Sequence, residues 1–147
     1  MEKQSATEAI LAAKEEKGLT FAQIAEAVGR HPVWTTSALL GQQQMSEKEA
    51  AAVAAVLDLP DEVAAQLQRF PTKGSLPETV PTDPLIYRFH EIVQVYGTTL
   101  KALIHEEFGD GIMSAIDFEM DIERVPDPKG DRVKVTLNGK FLPYRKW

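Results

Sequence analysis

Between Phe70 and Pro84 the chain carries Pro71, Gly74, Ser75, Pro77, Pro81 and Pro84. No long helix or strand tolerates that density, because proline fixes φ and brings no amide donor. The 147 residues are therefore read as two parts, 1–70 and 85–147, joined by a linker over 71–84. Each part has its own hydrophobic period, and the two periods differ.

The first part reads as short helices. Ser5 with Glu8, Thr20 with Gln23 and Ser46 with Glu49 each fit a capping box, and Gly18, Gly29 and Gly41 stand where helices would end. Pro32 suits a first helical turn. These boundaries predict a bundle of about five helices. Within it, Leu19 to Leu40 (LTFAQIAEAVGRHPVWTTSALL) has the pattern of a helix-turn-helix, with Gly29 at the turn. As a fold signal this is strong, but as a DNA-binding signal it is weak. His31 to Leu40 holds no Lys or Arg, and residues 1–70 carry six basic side chains against ten acidic, a net −4. Phosphate contacts need the opposite sign. A helix-turn-helix reused as a structural or subunit-contact module is the better reading.

The whole chain points the same way, with 22 acidic against 16 basic residues and a net charge of −6, so no overall positive field draws it to nucleic acid or anionic lipid. It has no cysteine, which removes disulfides, thiolate nucleophiles and cysteine metal sites. No secretory signal and no run of about 18 apolar residues is present. A soluble, cytosolic protein is expected.

In the second part Asp83 can cap a helix opened by Pro84, with Ile86, Phe89, Val93 and Tyr96 at helical spacing before Gly97. A second helix is expected over about Thr98 to Phe108, ending at Gly109. The period then becomes two, with Ile116, Phe118, Met120 and Ile122 alternating with acidic residues, and Val133, Val135 and Leu137 repeating it. Pro126 to Asp131 supplies one turn, and Asn138-Gly139 reads as a tight second turn into Phe141 to Trp147. The expectation is an α+β fold: a helix-turn-helix-like bundle, then a small α+β domain of two helices and about three strands. So small a domain has little chain to cover its apolar faces, so oligomerisation is the natural remedy.

Arg88 and Glu91 are three residues apart and share a helix face. A surface ion pair is the ordinary meaning of that spacing. However, Leu85, Ile92 and Val95 lie on the side of Arg88 while Ile86, Phe89 and Val93 fill another, so the helix is apolar nearly all round and reads as buried. An arginine in such surroundings must be paired or bind an anion. Ser114 follows Gly109-Asp110-Gly111 and precedes the strand, where a loop can offer backbone N–H groups and a hydroxyl to a small anion. A simple turn residue is the commoner reading of such a serine. His31, His90 and His105 have neither triad nor metal-ligand spacing.

The run PLIYRFHEIVQVYGTTLKALIHEEFGDGIMSAIDFEM and the terminal NGKFLPYRKW resemble the cyanase family, also called cyanate hydratase or cyanate lyase. GLTFAQIAEAVG and LLGQQQMS resemble its N-terminal domain, so the likeness spans essentially the whole chain; His31 to Ser37 is its least familiar stretch. The resemblance implies a lambda-repressor-like bundle with no DNA-binding role, ahead of a catalytic and oligomerisation domain. It implies bicarbonate-dependent decomposition of cyanate to ammonia and carbon dioxide via carbamate, with no metal or cofactor. It places the catalytic trio on Arg88, Glu91 and Ser114, at sites between subunits of a homodecamer built as a pentamer of dimers. Two other readings stand beside it: a helix-turn-helix transcriptional regulator whose C-terminal part senses a small ligand, and a non-catalytic oligomeric scaffold.

Overall fold

The capping boxes at Thr20 and Ser46 close in both directions: each hydroxyl accepts the amide of the third helical residue, whose own side chain accepts the cap's amide. In the computed structural model, which describes residues 1–147, they open α2 (Phe21–Val28) and α4 (Glu47–Leu57). Around them lie α1 (Lys3–Glu16), α3 (Pro32–Leu39, with proline in its first turn) and α5 (Asp61–Leu67). The five expected helices are all present. Gly29 ends α2 in the left-handed conformation, and Gly18 and Gly41 also have positive φ. The Ser5 cap is a correction: α1 begins three residues earlier with Glu2 as cap, and the Ser5 hydroxyl donates instead to the Glu2 carbonyl oxygen at 2.8 Å.

The chain divides into two compact units, Met1–Ser75 and Leu76–Trp147. The buried hydrophobic core belongs to the first, where Ile10, Ile24, Leu39, Met45, Val53, Leu57 and Val63 pack together. The start of the expected linker is bonded to this unit. Lys3 Nζ donates to Thr72 O and Lys73 Nζ to Gln42 O, both at 2.7 Å, and the Gly74 amide donates to Gln42 Oε1 at 2.8 Å.

Glu49 ties the helix-turn-helix to α4. Its carboxylate accepts from the Ser46 amide at 2.8 Å and from Arg30 Nε at 2.6 Å, with its side chain only 10% exposed. The Ser46 amide holds its pKa below the ordinary 4.5, Arg30 adds to this, and burial opposes it. A carboxyl whose folded pKa is depressed contributes stability above its unfolded pKa and loses it as pH falls through the folded one. Hydrogen exchange of the α4 amides in the full chain is therefore expected to quicken as pH drops below 4.5, after correction for intrinsic rates. Glu49→Gln should lose about 1 kcal/mol at neutral pH and blunt this dependence; an unchanged acid response would remove Glu49 as its source.

The second unit departs from expectation in three ways. Its helical part is one element, α6 (Pro84–Phe108, 25 residues), rather than two helices broken at Gly97. Asp83 caps it as expected, accepting from the Leu85 and Ile86 amides at 2.9 Å. Glycine inside a helix costs about 1 kcal/mol relative to alanine, which does not break a helix whose apolar period runs through it. Next, there are two strands rather than three, β1 (Gly111–Val125) and β2 (Arg132–Pro143), paired antiparallel. Asn138-Gly139 lies inside β2 opposite Glu119 and Phe118 and makes no turn. Finally, α6 has no buried residue within the chain, although its composition predicts a buried helix. Its exposed apolar side chains include Leu85, Phe89, Ile92, Val93, Val95 and Tyr96.

Candidate functional site

Arg88 sits one turn into α6, where its Nε donates to the Pro84 carbonyl oxygen at 3.1 Å and its Nη1 lies 3.2 Å from Glu91 Oε2. Its guanidinium stands 5.2 Å from the centroid of the Tyr87 ring. The Arg88 and Glu91 side chains are 58% and 49% exposed, so within one chain this is a solvated pair at helical spacing, which alone contributes a few tenths of a kcal/mol. Of the five guanidinium N–H donors only the one on Nε makes a hydrogen bond, and the rest of the fork, with the Glu91 carboxylate beside Nη1, is open to a ligand.

Ser114 lies elsewhere. It is 5% exposed and sits within β1 rather than ahead of it, at the start of an interruption in the ladder. Met113 faces Phe141 and Phe118 faces Gly139, so Ser114 to Asp117 bulge out opposite Lys140 alone. The backbone N–H groups of Ile116 and Asp117 do not stand free for an anion, as the loop reading expects. Both point at Ser114 Oγ, at 3.0 and 2.9 Å. The hydroxyl thus has two donors on its oxygen and its own proton left to donate.

The structure joins Arg88 to Glu91, but joins neither to Ser114. Arg88 is about 30 Å along the helix from Phe108 by the helical rise. The hairpin attaches at that far end, where Phe108 stacks on Phe141 with centroids 5.3 Å apart and His105 Nε2 lies 3.3 Å from Gly111 O. Two clefts of the helical unit, one lined by Ile10, Leu39, Gln66 and Phe70 among others and one by Arg30, Trp34 and Glu49, include none of the three residues. Three or more His, Asp or Glu side chains nowhere converge in a metal-binding group. No helix is long and apolar enough to cross a membrane.

Arg30, the cation in the turn before α3, is held by Glu49 and stands 5.7 Å from the centroid of the Trp34 ring.

The chain matches two family profiles, described as "Cyanate hydratase, N-terminal" over residues 3–71 and "Cyanate lyase C-terminal domain" over residues 78–146. It is 59% identical to the cyanate hydratase of Dechloromonas aromatica over 147 residues, all of both chains. It is 58% identical to that of Synechococcus sp. over 141 residues, covering 96% of this chain and 94% of the relative. The crystal structure of cyanase from T. urticae superimposes with a TM-score of 0.84 at 43% identity, covering 94% of this chain and 96% of that one. The transcriptional-regulator reading gains no support from these relatives. Helical bundle, long capped helix and bulged hairpin are found along a sequence that matches from end to end, and the chain belongs to the cyanate hydratase, or cyanase, family.

Proposed function

We propose that this protein is a cyanase, a lyase that decomposes cyanate with bicarbonate, and that Arg88, Glu91 and Ser114 form its active site between subunits of a decamer in the cytoplasm. The observation that carries the activity is the full-length identity of 59% with a cyanate hydratase. The shared site is supported by the separation of Arg88 from Ser114 within one chain and by the uncovered apolar surface of α6. Residues 85–147 then serve catalysis and assembly, and residues 1–70 form a helix-turn-helix bundle without a DNA-binding role.

Cyanate and bicarbonate are small anions with little apolar surface, so their binding rests on a few charge-assisted hydrogen bonds. Arg88 holds them through the open part of its fork. Ser114 donates its hydroxyl proton to an anionic oxygen, and Glu91 fixes the guanidinium or moves a proton. Bicarbonate oxygen adds to the cyanate carbon, and the adduct loses carbon dioxide to leave carbamate. That exchange takes up one proton, and carbamate takes up a second as it falls apart to ammonia and carbon dioxide. No metal or organic cofactor enters, and the gain in rate comes largely from holding two mutually repelling anions together.

Ammonia release from cyanate, measured in carbon-dioxide-free, metal-chelated buffer, is expected to be near background and to rise at least about tenfold with saturating bicarbonate, since the second reactant is otherwise missing. Full turnover without bicarbonate would overturn the mechanism. No turnover with it would overturn the activity.

A further inference from the structure

Gly139 faces the bulge that carries Ser114. Its φ is not positive, so backbone conformation does not call for glycine here. Space does: a Cβ at 139 would fall on the Ser114 carbonyl oxygen and on Met113 Cγ. The oxygen belongs to the backbone and cannot swing aside as a flexible side chain could. The bulge and the missing side chain therefore form one arrangement. Without that room, the Ser114 backbone could not approach β2 as closely as it does in the conformation that turns the Ile116 and Asp117 amides onto Ser114 Oγ.

With both acceptor positions of the hydroxyl filled, its one remaining capacity is to donate. Amides bonded to the oxygen also polarise the O–H and make it a better donor. The glycine at the other end of the hairpin makes room for something else. At Gly111 a Cβ would meet Leu142 O and the Phe141 ring, close to where the hairpin leaves α6.

We propose that Gly139 is a positioning residue for the cyanate reaction: by leaving room for the bulge, it fixes Ser114 as a hydroxyl that can only donate, selecting an anionic oxygen of the reactants. This rests on the cyanase reading given above. It also predicts that Ser114 serves neither as a base nor as an acceptor for the ammonia-forming nitrogen.

The test is a double-mutant cycle on the full-length assembled protein with Gly139→Ala and Ser114→Ala. Gly139→Ala is expected to lower kcat at least about tenfold, whereas in the Ser114→Ala background it should change kcat by less than about twofold, because the hydroxyl it positions is gone. Equal, multiplying losses in the two backgrounds would overturn the proposal, since general damage to the hairpin does not depend on the hydroxyl. Should Gly139→Ala not assemble, or should the wild type show no turnover, hydrogen exchange decides. The amides of Ile116 and Asp117 should be protected in the wild type and exposed by Ser114→Ala while the β1 to β2 ladder amides stay protected. Unprotected bulge amides in the wild type would overturn the positioning claim. A wild type without cyanate turnover, but with protected bulge amides, overturns the cyanase reading alone.

Discussion

Arg88→Ala is expected to lower kcat/KM for cyanate by at least about a thousandfold, or ~4 kcal/mol of transition-state stabilisation at 1.36 kcal/mol per decade. The reason is geometric. Pro84 O accepts from Nε and the Glu91 carboxylate lies 3.2 Å from Nη1, which orients the guanidinium and, in the proposed site, leaves most of its donors for the two anions. Arg88→Lys keeps the charge but loses the planar fork, so it should fall between wild type and alanine. The helix itself has little at stake, because within the chain Arg88 contributes only an exposed pair three residues apart. Assays should therefore be paired with size-exclusion chromatography and circular dichroism. Near-normal activity would remove Arg88 from the site, and loss of the assembly would make its role structural.

The second large effect concerns α6. Val93 is 61% exposed in the single chain, where an aspartate would be harmless. In the proposed decamer the same position lies under another subunit, and burying an unpaired carboxylate there costs several kcal/mol. Val93→Asp is accordingly expected to shift the protein from its large assembly to smaller species by light scattering and to remove activity with it. The α1 to α5 core, which contains no residue of α6, should remain protected from hydrogen exchange. An unchanged mass would show that this face of α6 is not part of the assembly.

Much of the helical unit is legible because its signals are local. A threonine or serine followed three residues later by glutamine or glutamate describes its own hydrogen bonds, and those at Thr20 and Ser46 form as written. Ser5 and Glu8 carry the same letters, yet α1 starts ahead of them. Glycine is where local reading fails. Gly97 resembles a helix stop and lies inside α6, because the apolar period continues past it. Asn138-Gly139 resembles a hairpin turn, yet Gly139 is there because of Ser114 on the opposite strand, a neighbour distant in sequence.

The candidate site divides the same way. Arg88 and Glu91 share a face by spacing alone, and the structure shows them paired. Ser114 carries no local signal, and only the family resemblance singles it out. The apolar surround of Arg88 is plain in the composition of α6, but it does not amount to burial within one chain, because a sequence does not say whether the covering surface is its own.

The uneven location of the core has a consequence for biosynthesis. The first 75 residues contain the whole buried hydrophobic core, so they can fold as soon as they leave the ribosome. The long helix and hairpin that follow are, in the proposed assembly, covered only when other copies arrive. In the proposed assembly this makes their folding a reaction of high molecular order, governed by how many nascent chains are present. Dilution then acts as a denaturant on half the molecule while the other half stays folded.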